Sequence, residues 1–207
     1  MIINQVVSGG SGSSDPYQLL GRVKDDNNNE IGTVSGYFTD SSNQNYAVVC
    51  LDAQFRLAAG QWLSQEVSVT GMTNIPNTLN GVLTNVETAT ENCDKIMSFV
   101  GDGSTYTSSG VSHCRSKSFV IGGTTYYGQL PTILELRDIY INRSVINTND
   151  PSATQYSSLI IPSSDNIWSS SQQAANYSWQ FTSLGYVNYN SKDKQFFIIP
   201  VLEIPIA

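Results

Sequence analysis

The 207-residue sequence predicts an α+β protein rich in β-strands, with a small N-terminal β module, a short coiled-coil stalk and a C-terminal α+β domain. Three observations support this prediction. Short β-prone segments alternate with turn-forming residues near both ends of the chain. A heptad repeat of apolar residues lies between them. Only 13% of residues are Asp, Glu, Lys or Arg, whereas neutral polar residues are plentiful, which is typical of turn-rich β proteins.

The first part of the chain is predicted to contain a flexible arm and a β module. Residues 1–14 end in a Gly/Ser-rich run that is too poor in apolar side chains to hold a fixed shape alone, although it could order against a partner. The β-prone segments Ile31–Phe38 and Tyr46–Leu51 are separated by Asp, Ser and Asn residues that favour turns, which predicts a hairpin. Residues 15–62 are therefore expected to form a small β module, followed by a linker at 63–76.

A seven-residue apolar repeat after Pro76 predicts a coiled-coil stalk over residues 77–100. Apolar residues occupy the a and d positions, and the positions between them are compatible with solvent. β-branched residues in this seam favour more than two strands, so a homotrimer is expected. The alternative is a single amphipathic helix that packs on its own domain. The predicted oligomerisation residues are Leu79, Val82, Val86, Ala89, Cys93, Ile96 and Val100.

Residues 101–207 are predicted to form one compact α+β domain. A short helix is expected at Ser112–Phe119. Thr132 and Glu135 have the spacing of a capping box, which predicts a helix through about Asn142. Short strands are expected at Tyr126–Leu130 after a Gly122-Gly123 turn, and at Ile167–Ser169, Ser178–Thr182, Tyr186–Tyr189 and Phe196–Ile204.

The charge and hydropathy patterns argue against two classes of partner. The formal net charge of −7 and the lack of a Lys/Arg run give no attraction toward phosphate, so nucleic-acid binding is not expected. The longest apolar stretches fall far short of the roughly 20 residues that cross a bilayer, so membrane insertion is not expected. The N-terminus has neither the basic nor the apolar region of a signal peptide, and export by that route is not expected.

No residue pattern in the sequence is typical of catalysis, and we expect no enzymatic activity, metal or cofactor. The single histidine, His113, precedes Cys114, but adjacent residues of a helix point about 100° apart and do not form a pair. Cys50, Cys93 and Cys114 lack the C-x-x-C spacing of a zinc site and are expected to be small buried residues. No nucleophile elbow or H-E-x-x-H pair is present.

The C-terminal segments carry Tyr and Asn residues that are suited to recognition. Tyr supplies a large contact area at low entropic cost, and Asn supplies adaptable hydrogen bonds. On loops of a rigid domain such residues form a binding surface. The alternative is that they are ordinary turn surface and that the neighbouring Trp179 fills the core. The predicted ligand-binding set is Asn176, Tyr177, Tyr186, Asn188, Tyr189 and Asn190.

The predicted hairpin resembles a known viral family. The segments EIGTVSGYFTD at residues 30–40 and YAVVCLDA at residues 46–53 are similar to the head fibre family of tailed phages, including crAss-like phages of gut Bacteroidales. The resemblance covers about a fifth of the chain. It implies a virion protein on the outer surface of the capsid, whose N-terminal module contacts major capsid or capsid auxiliary proteins. The alternatives are a ligand-free capsid decoration protein and a tail-tip receptor-binding adhesin.

Residues 101–207 resemble C-type-lectin-like domains of phage receptor-binding proteins and of the variable proteins of diversity-generating retroelements. The matching motifs are His113-Cys114-Arg115-Ser116, Leu130-Pro131-Thr132, Glu135-Leu136, Trp168-Ser169-Ser170-Ser171, and Lys194 leading into Pro200-Val201. This resemblance implies a rigid frame whose loops bind a host-surface glycan or protein. The chain lacks the Glu-Pro-Asn and Trp-Asn-Asp calcium motifs of sugar-binding lectins, so calcium-dependent sugar binding is not expected.

Overall fold

The computed structural model describes residues 17–76, 87–101, 105–152, 166–182 and 184–207, which form an α+β fold rich in strands. The strands are β1 (Arg22–Lys24), β2 (Glu30–Thr39), β3 (Asn45–Leu51), β4 (Leu57–Gln61), β5 (Ser118–Ile121), β6 (Thr124–Tyr127), β7 (Asn166–Gln172), β8 (Tyr177–Thr182), β9 (Val187–Ser191), β10 (Gln195–Ile198) and β11 (Val201–Ile206). The helices are α1 (Ala89–Gly101), α2 (Ser109–Arg115) and α3 (Ile133–Asn149), with a 3-10 turn at Ala53–Phe55.

The described strands lie in three sheets, two of which combine strands from both ends of the chain. The first has the order β1-β2-β3-β11 and is antiparallel throughout. The second has the order β4-β10-β7-β8-β9, and its β10 and β7 run parallel. The third is the β5–β6 hairpin. The predicted hairpin of β2 and β3 is confirmed, with bounds within one residue of those expected.

The predicted division into an anchor module and a separate C-terminal domain is corrected by this topology. β11 pairs with β3 from Val201 opposite Cys50 to Ile206 opposite Asn45, and β10 pairs with β4. The predicted linker, residues 63–76, supplies buried side chains to the core. The physical reason is size, because a module of about 40 residues cannot bury enough apolar surface alone. The C-terminal strands β10 and β11 supply the additional apolar surface that this module needs for a core.

Buried apolar residues form three clusters around these sheets. One lies between α3 and the two large sheets, a second joins α1 and α2 to Trp62 and Trp168, and a third covers the other face of the first sheet. All three cysteines are free and fully buried, as the sequence predicts for small apolar residues. Cys50 lies in the first cluster, and Cys93 and Cys114 lie in the second.

Helix α1 packs inside its own chain, which corrects the predicted seam where the structure describes it. Ala89, Cys93 and Ile96 are fully buried in the intrachain clusters, and Val100 packs partly buried against the second. The other predicted seam residues lie outside the described residues: Leu79, Val82 and Val86. Over a helix of 13 residues a heptad seam and an ordinary amphipathic face nearly coincide, since they diverge by only about 20° per heptad.

The turn and cap chemistry of the C-terminal half is confirmed. Gly122 and Gly123 adopt φ values of 58° and 77° between β5 and β6, a conformation that favours glycine. Thr132 Oγ1 accepts a hydrogen bond from the Glu135 N–H, and Glu135 Oε2 accepts one from the Thr132 N–H at 2.6 Å. This capping box opens α3, which continues to Asn149, beyond its predicted end.

Two other predicted segments differ from the structure. Helix α2 begins and ends earlier than expected, because Ser108 caps its N-terminus and Ser118 already belongs to β5. The predicted strand Phe196–Ile204 is two strands, β10 and β11, that lie in different sheets. Pro200, which lacks a backbone N–H, lies between them, where the chain passes from one sheet to the other.

Candidate functional site

The predicted ligand-binding residues lie on or beside the hairpin of β8 and β9, at the edge of the five-stranded sheet. In its register Tyr189 is opposite Trp179, and Asn188 is opposite Gln180. Opposed residues of antiparallel strands point to the same face, and neighbours along a strand point to opposite faces. The structure therefore places Tyr177 and Tyr189 on one face of the hairpin, and Asn188 and Asn190 on the other.

Aromatic residues contact one another on the face that packs toward α3. The ring of Tyr189 has its centroid 5.5 Å from that of Tyr177 and 5.6 Å from that of Trp179. Trp179 is 3% exposed and its Nε1 donates to the Ile75 carbonyl at 3.3 Å, so it is a core residue. Tyr177 stays 40% exposed and is supported from beneath by the half-buried Tyr189.

The hairpin tip, residues 184–187, is the most exposed apolar part of this region. Leu184, Tyr186 and Val187 are 73%, 67% and 39% exposed. The backbone of the tip is held in a turn, because the Gly185 N–H donates to the Thr182 carbonyl at 2.9 Å and the Thr182 N–H donates to the Tyr186 carbonyl at 2.8 Å. Gly185 has φ 88°, and a Cβ at that position would lie 2.7 Å from the ring of Tyr140. Tyr186 belongs to the predicted set. Leu184 and Val187 were missed because the prediction considered only Tyr and Asn.

Asn188 and Asn190 provide hydrogen-bond acceptors for backbone N–H groups on the outer edge of β9. Backbone bonds that flank the β8–β9 pairing place the N–H groups of Tyr189 and Ser191 on the side away from β8. Asn188 Oδ1 accepts from the Tyr189 N–H at 2.8 Å, and Asn190 Oδ1 accepts from the Ser191 N–H at 2.9 Å. These amide oxygens are therefore occupied by the chain's own backbone. That Asn188 and Asn190 bind a ligand stays a prediction, in which their side-chain NH2 groups would be the donors.

A buried lysine that the sequence analysis did not single out holds the base of the hairpin. Lys192 Nζ donates to the carbonyls of Val67 and Ala175, both at 2.8 Å, and to Gln172 Oε1 at 2.5 Å. It lies 4.5 Å from the ring centroid of Trp62. Burial lowers the pKa of Lys192 to about 7, although its three oxygen acceptors favour the charged form. Lysines are usually exposed, so the sequence carries no signal for this role.

A second candidate site is a groove that the sequence analysis did not predict. We call it the Glu203 groove. It lies where β6, the start of α1, the end of α2 and the end of β11 meet, and has a volume of about 340 Å³. That volume is near the lower end of the range for ligand pockets. Its walls include Tyr46, Tyr126, Tyr127, Arg115, Gln129 and Glu203.

Two carboxyl groups contact each other at the inner side of this groove. Glu203 accepts hydrogen bonds from the backbone N–H groups of Ala89 at 2.7 Å and Thr90 at 2.8 Å, and so caps α1. Glu135 caps α3 through the N–H of Thr132. Burial, and then the charge of Glu203, raise the pKa of Glu135 well above its ordinary value. A raised pKa favours the protonated Glu135 carboxyl, which can donate a hydrogen bond to Glu203.

The geometry of this carboxyl pair is that of a helix-capping pair. Glycoside hydrolases hold their two carboxyl groups about 5 to 9.5 Å apart, on either side of the bond that they cleave. Glu135 and Glu203 share a hydrogen bond, and Glu135 is only 3% exposed. Both also accept backbone N–H groups. The pair therefore joins the N-termini of α1 and α3 to strand β11.

Within the described ranges, His, Cys, Asp and Glu side chains form no group of three or more that could hold a metal ion. Among the same residues, no helix has the length and apolar character that crossing a membrane requires. No family model matches the chain, and no curated protein matches it.

Proposed function

We propose that the chain is a virion structural protein of a tailed phage, a head fibre that presents the β8–β9 hairpin to the host surface. The observation that carries this proposal is the tip at residues 184–187, where three apolar or aromatic side chains are exposed on a backbone held in a turn. Scattered exposed apolar residues are ordinary, but a cluster of them marks an interaction site. The resemblance of residues 30–53 to head fibres supports the location on the capsid.

A C-type-lectin-like frame is part of the same proposal. The matching motifs occupy positions that hold a frame together, since Leu130, Pro131 and Trp168 are buried and Glu135 caps α3. The hairpin follows the motif that contains Trp168, as the resemblance implies for a binding surface. The proposed frame includes β1 to β4 as well as the strands after residue 101. Its expected ligand is a host-surface glycan or protein.

A homotrimer also remains a proposal, and it no longer rests on Ala89, Cys93 and Ile96. Three copies would present three hairpins to one surface, so that three weak contacts act together. Attachment to the capsid is proposed to use the arm at residues 1–14, because β1 to β4 are built into sheets that they share with C-terminal strands.

Attachment should depend on the exposed tyrosines of the hairpin. Changing Tyr177 and Tyr186 to Ala should weaken adsorption to host cells by about tenfold or more, because each interface aromatic is typically worth more than 1 kcal/mol. The melting temperature should stay nearly unchanged, since both side chains are exposed. Val120→Ala, an exposed apolar change on β5, is the matched control. Unchanged adsorption of a folded double variant would favour the ligand-free decoration protein.

Incorporation into virions should depend on the N-terminal arm. A chain that lacks residues 1–14 should still fold, because β1 begins at Arg22, but it should not join particles. In a control variant, residues 1–14 are replaced by an equal number of Gly and Ser residues. This variant shows whether incorporation depends on the sequence of the arm or only on its length. Immunogold labelling gives the position on the virion. Normal incorporation of the shortened chain would assign the anchor to the folded part, and labelling at the tail would favour the tail-tip adhesin.

A further inference from the structure

We infer that the Glu203 groove is a binding site for an uncharged sugar ring. This site is separate from the hairpin, so the inference goes beyond the proposed function and does not depend on it. It rests on the aromatic wall of the groove, on unpaired polar atoms in that wall, and on the charges around it.

The aromatic wall suits the C–H faces of a pyranose. Tyr46 and Tyr127 line the groove, and Tyr127 is 51% exposed, so much of its ring is available. Tyr126, its neighbour on β6, points to the opposite face of the strand and packs against the third cluster. Tyrosine offers an apolar ring face together with a hydroxyl that donates and accepts hydrogen bonds. A sugar ring presents the same combination of C–H faces and hydroxyl groups. The wall is therefore chemically complementary to a sugar.

Two buried polar atoms in the wall lack partners within the part of the chain that the structure describes. Gln129 is 4% exposed, and its Nε2 donates to the Tyr127 carbonyl at 2.9 Å, but its Oε1 has no hydrogen bond. Arg115 donates through Nη2 to Asp94 and to the Thr90 carbonyl, but its Nε has no acceptor. A buried polar atom without a partner costs about 1 to 3 kcal/mol. Turned toward the groove, these two side chains would find both the missing donor and the missing acceptor in sugar hydroxyls.

The charges around the groove select against an anionic ligand. Asp40, Glu91 and Glu203 line it together with a single cation, Arg115, which already pairs with Asp94. A sulfated or carboxylated sugar would bring its charge close to three carboxylates. An uncharged sugar avoids this repulsion.

Saturation-transfer NMR on the full chain tests the inference with glucose, galactose and N-acetylglucosamine as probes. We expect at least one of them to receive saturation from the protein, and N-acetylneuraminic acid, the anionic comparison, to receive none. Tyr127→Ala should reduce binding of the responding sugar by about fivefold or more, as expected for loss of an interface aromatic. Thermal melting of this variant should match the wild type, because the side chain is half exposed.

The matched control is Tyr37→Ala, which removes a 41% exposed tyrosine of β2 that lies outside both the groove and the hairpin, and it should leave sugar binding unchanged. Lack of signal from all three sugars would overturn the inference, as would equal loss in both variants or stronger binding of the acidic sugar. Adsorption to cells tests the hairpin, and saturation transfer tests the groove. The two sites can therefore fail independently.

Discussion

Replacing Lys192 with methionine is expected to lower the free energy of unfolding by about 2 kcal/mol or more. The change keeps the apolar stem but removes the donor to the carbonyls of Val67 and Ala175 and to Gln172 Oε1, which keeps the Val69 N–H. An acceptor left without its donor in the protein interior costs about 1 to 3 kcal/mol. Denaturant unfolding measures the effect. Lys194→Met, which alters an exposed lysine two residues away, should change stability little. Equal stability of the Lys192 and Lys194 variants would remove the structural role assigned to the ammonium.

The same variant should also change the pH dependence of stability. In the unfolded chain the lysine titrates near 10.5, whereas burial lowers the pKa of Lys192 in the fold to about 7. Between these values the unfolded state binds a proton that the folded state does not, so this group makes the wild type gain stability as pH rises from 7 to 10.5. Lys192→Met should lack this gain. Parallel melting curves of both proteins across that range would contradict the assignment.

Glu135→Gln should stabilise the protein increasingly as pH rises above about 4.5. Below that pH the Glu135 carboxyl is protonated in both states. Above it the unfolded chain loses the proton while the folded chain keeps it, so the wild type loses up to about 1.4 kcal/mol per pH unit until the raised pKa is reached. Glutamine keeps an oxygen for the Thr132 N–H and an N–H for Glu203. It has no proton to lose.

Unfolding free energies of the wild type and Glu135→Gln, measured from pH 4 to 9, give this difference directly. The control is Glu91→Gln, because Glu91 accepts from the Thr88 N–H at 2.8 Å in an equivalent but exposed capping box on α1. The control should follow the wild-type slope closely. A constant difference between wild type and Glu135→Gln at all pH values would mean that Glu135 is ionised in the fold.

Local signals in the sequence predicted most of the secondary structure but not the assembly of the sheets. The capping box at Thr132 and the turn at Gly122-Gly123 act through residues close in the chain, so their residue types define them. The pairing of β11 with β3 joins residues about 150 positions apart. Both segments have the composition of ordinary apolar strands, and neither sequence indicates which strand it will pair with.

The candidate sites were only partly predictable for the same reason. Tyr177 and Tyr186 were predicted from residue type and are exposed. Asn188 and Asn190 were predicted on the same ground, but their use of the adjacent backbone depends on which N–H groups face away from β8. Lys192 and Glu203 act through contacts with distant segments, and charged residues ordinarily indicate surface. Their roles follow from the fold alone.

The asparagine-capped edge of β9 affects the tendency of the protein to aggregate at high local concentration. An open strand edge can extend its sheet with a strand from a neighbouring molecule, which leads to fibrils or irreversible clumping. In β9 the outward N–H groups of Tyr189 and Ser191 are already bonded to Asn188 and Asn190, so a neighbouring backbone would have to displace them. In the proposed head fibre, copies held side by side on a particle would thus keep an apolar hairpin tip exposed with less risk of pairing into a shared sheet.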